Sequence, residues 1–102
     1  MAKIAESVTL TRVYYKREVV EKDDLSYKSE SVKKFYRGQI RIYLRDIIAI
    51  EEYQYNEFQG FSDSPKTHVE YAGGHFVAEI DFEILHNILD EYDKNRTLII
   101  NN

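Results

Sequence analysis

Over residues 7–15, Val8, Leu10 and Arg12 alternate with Thr9, Thr11, Val13 and Tyr15. This period-2 pattern, rich in β-branched and aromatic side chains, predicts a strand. The charged stretch 16–24 carries a Val19-Val20 pair, through which the strand can continue before Asp23-Asp24 ends it. Residues 25–37 are ambiguous. Leu25, Lys28-Ser29, Val32 and Phe35-Tyr36 can form the stripe of a short helix capped by Asp24, or the stretch can be a polar strand or loop. Helix or irregular structure is the preferred reading, with Gly38 as the break that follows it. Ile40, Ile42 and Leu44 then alternate with Arg41, Tyr43 and Arg45, giving a strand with a basic outer face. After the Arg45-Asp46 interruption, Ile47-Ile48-Ala49-Ile50 reads as a strand buried on both faces.

Residues 56–66 hold Gly60, Pro65, Asn56, Asp63 and two serines, a loop composition. Phe58 and Phe61 inside it should tuck onto the core or serve as contacts. Residues 68–80 predict a hairpin turning at Gly73-Gly74. That turn sets Tyr71 opposite Phe76 and His68 opposite Glu79. Thr67, Val69, Tyr71, Phe76, Ala78 and Ile80 then share the core face, and His68, Glu70, Ala72, His75, Val77 and Glu79 the outer one. Asp81 should cap a helix over 82–93, with Phe82, Leu85, Ile88, Leu89 and Tyr92 on its apolar stripe and Asn95 as a cap beyond it. The tail 95–102 is then flexible or an edge strand.

Together these elements predict a single domain over residues 1–102. Its class is α+β: an antiparallel sheet of about five strands, open or curled into a partial barrel, with a C-terminal helix packed on one face. The length of 102 residues supports one core without metal or disulfide, and the absence of Cys excludes a disulfide scaffold or thiol chemistry. No apolar run approaches a membrane span. The first seven residues carry no apolar stretch of the signal-peptide kind, so a cytoplasmic protein is expected.

The net charge of −4 hides an asymmetry: residues 1–50 carry 11 basic and 7 acidic side chains (+4), residues 51–102 carry 3 and 11 (−8). The two halves can interleave within one fold, or mark partner surfaces. Nine Tyr and five Phe exceed what a small core would fully bury, so several should lie at the surface.

Three functions follow from these patterns. The first is a non-enzymatic binding or regulatory protein, without a cofactor, acting through contacts with a protein partner or with a second copy of itself. The second is a nucleic-acid-binding module built on Lys33, Lys34, Tyr36, Arg37, Arg41, Tyr43 and Arg45, where cations follow phosphates and rings stack on bases. The third is a small metal- or His-dependent enzyme on the hairpin face, using His68, Glu70 and Glu79 as ligands or proton carriers. A solvated sheet face with cross-strand His–Glu pairs explains those same residues without chemistry. The chain contains no G-x-S-x-G, Walker A or G-x-G-x-x-G motif, so no nucleophile elbow or nucleotide cradle is indicated. The succession of Asp46–Glu51, Thr67-His68-Val69, Gly73-Gly74, Val77 and a terminal helix resembles small β-rich regulators such as the FlbD family and the LytTR-type DNA-binding domains. The resemblance covers under half the chain and follows from any strand–hairpin–helix order. The DNA-contacting residues of the LytTR domains find no counterpart, and no residue role is carried over.

Overall fold

The computed structural model describes residues 5–21 and 29–100, with side chains described for 5–19 and 31–95. The described residues form five strands and one α-helix: β1 (Ser7–Glu21), β2 (Ser29–Tyr43), a 3-10 turn (Leu44–Asp46), β3 (Ile47–Tyr53), β4 (Lys66–Tyr71), β5 (Gly74–Ala78) and α1 (Phe82–Ile100). The strands make one antiparallel sheet in the order β2-β1-β5-β4-β3, so β2 and β3 are its edges. The architecture is the small α+β fold expected.

Strands β1 and β2 run 15 residues each and pair along their whole length, from Ser7↔Tyr43 to Glu21↔Ser29. A strand of that length spans about 50 Å. The rest of the sheet pairs with β1 only at Arg12↔Ala78 and Val13↔Val77. The hairpin therefore leaves the sheet as a two-stranded ribbon beyond Tyr15 and Phe35. The chain measures 73 × 24 × 21 Å, with a radius of gyration of 18.7 Å. A compact chain of this length would have about 13 Å.

Two corrections concern this hairpin. Residues 29–37 are strand rather than helix or loop, and Gly38 is no break, being paired with Arg12 in mid-strand. The remainder of the ambiguous stretch, 25–28, lies outside the described residues.

The core sits between the sheet and α1. Leu10, Ile42, Val69, Phe76, Ala78 and Leu85 are buried together, and Val8, Ile40, Ile47, Ile50, Tyr71, Ile80 and Leu89 pack around them. The alternation in β1 and β2 puts Val8, Leu10, Ile40 and Ile42 on this helix-covered face. Strand β3 reaches the core differently from the two-faced burial expected. A β-bulge between Ile47 and Ala49 turns Ile47 and Ile50 inward and leaves Ile48 68% exposed.

The β4–β5 hairpin has the predicted faces in a different register. Its two-residue loop is Ala72-Gly73, with Tyr71↔Gly74, Val69↔Phe76, Thr67↔Ala78 and His68↔Val77. The slip is two residues, an even number, so each side chain keeps its predicted face. The glycines explain the choice. Gly74 has φ +144°, which side-chain-bearing residues rarely adopt, and a Cβ on Gly73 would lie 2.7 Å from the Tyr71 ring.

Helix α1 begins as predicted: the Glu83 N–H donates to Asp81 Oδ1 at 2.9 Å, a side-chain N-cap. Its end differs. The helix continues to Ile100, so residues 95–100 are not an edge strand. Asn95 lies inside the helix, where its Nδ2 donates to the Glu91 carbonyl at 2.8 Å.

Candidate interaction surface

The sheet face opposite α1 is built from the other half of the alternation. Strand β1 contributes Val13 and Tyr15, β2 Phe35 and Arg37, β5 Val77, β4 His68, and β3 Glu51 and Tyr53, linked by the pairs Val13↔Arg37, Tyr15↔Phe35, Val13↔Val77, His68↔Val77 and Glu51↔His68. Among the described residues, no helix covers this face. The loop 54–65 covers one side of it. Phe58 is buried at 4% exposure, with its ring 6.1 Å from Tyr15, 6.0 Å from Phe35 and 6.0 Å from Tyr53. Phe61 stacks on Phe35 at 5.3 Å. Both loop phenylalanines thus tuck onto the sheet.

A polar cluster pins that loop. Arg37 Nε donates to Glu79 Oε1 at 2.7 Å, and Arg37 Nη2 to the Phe61 carbonyl at 2.8 Å. The guanidinium also lies over the Phe61 ring, 4.3 Å from its centroid. The hydroxyl of buried Ser62 donates to Glu79 Oε2 at 2.7 Å, and that of Ser64 at 3.2 Å. The Arg37 hydrogen bond holds the Glu79 carboxyl below its ordinary range against the opposing effect of burial, and Ser62 and Ser64 add to the lowering.

Beside this cluster lies an open groove of about 580 Å³. Tyr15, Tyr53, Tyr55 and Phe58 wall it, Val13 and Val77 line its floor, and Glu51, Glu52 and Glu57 stand among its lining residues. Tyr53 and Tyr55 meet edge to face at 5.3 Å. Burial, followed by the Glu57 carboxylate, pushes the Tyr53 phenol above its ordinary value. At the far end His68 Nε2 and His75 Nδ1 lie 3.2 Å apart, so one ring accepts the proton that the other donates.

The structure distributes the residues singled out from sequence over several places. Tyr36 stacks on Tyr14 at 5.3 Å on the helix side of the ribbon, and Lys34 lies 4.0 Å from Glu18 there. Lys33 is on the opposite side, its ammonium 4.7 Å from the Tyr15 ring centroid. Arg41 and Arg45 flank exposed Tyr43, at 5.9 and 5.1 Å from its centroid. Arg37 belongs to the loop-pinning cluster.

Of the hairpin residues, Glu79 also belongs to that cluster and is not opposite His68. Glu70 stands opposite His75. Among the described residues, no group of three or more His, Asp or Glu is gathered around a common point in the manner of a metal site. Sequence reasoning passed over Tyr15, Tyr53, Tyr55 and Glu57 as site residues, although the i, i+2 spacing of Tyr53 and Tyr55 after a strand was a usable signal.

Comparison with family models, curated proteins and solved structures found no match to this chain. Among the described residues, no helix is long and apolar enough to cross a membrane.

Proposed function

We propose that this chain is a non-enzymatic cytoplasmic binding module that acts through protein–protein contacts, with a partner protein or a second copy of itself. The β1–β2 ribbon carries this reading. Among the described residues it extends past the rest of the sheet as two strands, and isolated two-stranded hairpins are marginal in water. Its exposed side chains nevertheless include Val19 at 70% and Val32 at 45% exposure, one on each face. Stacked Tyr14 and Tyr36 stand at its base. Apolar side chains on a thin solvated element gain most from being covered by another chain.

The charges of β2 fit the same picture. Lys33, Lys34, Arg37 and Arg41 lie along an edge strand, where charge discourages indiscriminate sheet pairing. One observation favours the nucleic-acid alternative: the Arg41–Tyr43–Arg45 cluster is exposed, with two guanidinium groups beside one ring.

Affinity capture from the source lysate, with and without nuclease, separates the two. Protein contacts predict a partner that survives nuclease and tolerates Arg41→Glu with Arg45→Glu. Collapse on nuclease treatment, with loss of nucleic-acid retention in that double variant and steep weakening by salt, would overturn the reading. Light scattering during gel filtration distinguishes a second copy from a different partner.

A further inference from the structure

The aromatic groove opposite the helix combines two features that recognise the same chemistry. Its wall is made of ring faces and edges from three places in the chain: Tyr15 on β1, Tyr53 on β3, and Tyr55 and Phe58 in the following loop. Glu51 and Glu57 are its acidic lining residues on this face, since Glu52 and Arg12 sit at strand positions of the helix side. The chain's own Lys33 holds its ammonium 4.7 Å from the Tyr15 ring centroid, leaving Tyr53, Tyr55 and Phe58 for an incoming cation. Arg12 already lies over the Tyr14 ring, 4.7 Å from its centroid. Aromatic faces carry negative quadrupole potential, and carboxylates at the rim add to it, so both attract a cation. The volume of about 580 Å³ is in the range of ligand sites. The groove is open along its length, a shape that admits a side chain presented by another chain.

We infer that this groove binds a side-chain cation, a lysine ammonium or its methylated form, carried on a basic segment of a partner protein. The inference rests on the protein-contact reading above and specifies the partner's chemistry. The Tyr and Phe rings hold the alkyl stem and the charged head. Glu57 and Glu51 supply the counter-charge, and the exposed Tyr55 ring closes over the entrance.

The test uses the full chain labelled for amide NMR and three short capped peptides. Their central residue is lysine, trimethyl-lysine, or the uncharged carbon isostere of trimethyl-lysine. The expected result is shifts confined to residues around Tyr15, Tyr53, Tyr55 and His68. The cationic peptides should bind about threefold to fivefold more tightly than the neutral isostere, the ratio expected of an exposed cation–π contact. Tyr55→Ala and Glu57→Gln alter exposed side chains and should preserve the fold while weakening the cationic peptides. Tyr43→Ala, outside the groove, should leave them unchanged.

Equal affinity for the isostere, shifts centred elsewhere, or no shifts at saturating peptide would each overturn the inference. If the groove ignores all three peptides while a nuclease-resistant partner is still captured, the inference alone falls. If the peptides bind and no protein is captured, the wider protein-contact reading falls and the cation site stands.

Discussion

The guanidinium of Arg37 and the carboxylate of Glu79, 42 positions apart in the chain, meet with Nε 2.7 Å from Oε1. Strand β2 at the sheet edge is thereby tied to the segment that follows β5, and the loop carrying Phe58 and Phe61 is held between them. Glu79 has a side chain only 16% exposed, so the pair is better sheltered than an ordinary surface ion pair. Glu79→Gln should cost about 1.5–3 kcal/mol, the range for a hydrogen bond to a charged group. The carboxyl is lowered from its ordinary value of 4.5 in the folded state. Its contribution is therefore fully present above pH 4.5 and lost as pH falls through the lowered folded value, because the unfolded chain takes up the proton first. Urea midpoints of wild type and Glu79→Gln should differ at pH 7 and converge in acid. A gap that persists unchanged at low pH would contradict this assignment.

The glycines separate by backbone and surroundings. A Cβ at Gly38 would find Arg12 Nε at 3.8 Å, an ordinary contact, and the position is extended strand. Gly38→Ala should be neutral or stabilising by about 0.5 kcal/mol. Gly74 has φ +144°, and Gly74→Ala should cost about 1–3 kcal/mol through backbone strain. Thermal melts of the two variants should move in different directions or by clearly different amounts, and equal losses would refute the register of the β4–β5 hairpin.

Leu85 is fully buried in the core, whereas Ile84, its neighbour on the helix, is 56% exposed. Leu85→Ala should lose about 2–5 kcal/mol from the cavity it leaves. Ile84→Ala should stay within about 0.5 kcal/mol. Denaturant unfolding checks both, and comparable losses would mean that α1 packs with a different face.

Phe58 anchors the loop 54–65 through contacts with Tyr15, Phe35 and Tyr53. Phe58→Ala should release the loop as well as destabilise the fold by about 3–5 kcal/mol. Limited proteolysis at a temperature where the variant remains folded should cut within 54–65 faster than in wild type. An unchanged cleavage rate there would show that the Arg37–Glu79 cluster holds the loop by itself.

The legible parts of the fold were those where burial imprints a period on the sequence. Val8 and Leu10, Ile40 and Ile42, one face of the β4–β5 hairpin, and Leu85 with Leu89 on α1 all face the core, and their spacing records it. In the outer half of β2, Phe35 packs under Phe58 and Phe61 while Val32 and Lys34 are exposed, so residues 29–37 carry no clean apolar alternation and resemble a polar helix as much as a strand. The end of α1 was masked differently. Lys94-Asn95-Arg96 has the composition of a helix stop and Leu98-Ile99-Ile100 that of a strand, yet the helix passes through both. The bulge at Ile48 and the hairpin slip depend on local backbone choices that leave the hydrophobic pattern intact. Of the candidate site, the Arg41–Tyr43–Arg45 cluster was readable because it is local. The aromatic groove gathers Tyr15, Tyr53 and Phe58 only through the strand order, which the sequence does not state.

The ribbon as contact element is tested most directly by one comparison. Nuclease-treated lysate is passed over wild-type chain and over a Tyr14→Ala/Tyr36→Ala variant verified as folded, and the retained proteins are quantified by mass spectrometry. The variant removes the stacked pair at the ribbon's base. The account predicts a discrete protein retained by wild type and lost or strongly reduced in the variant. Equal retention by both, or none by either, would contradict it.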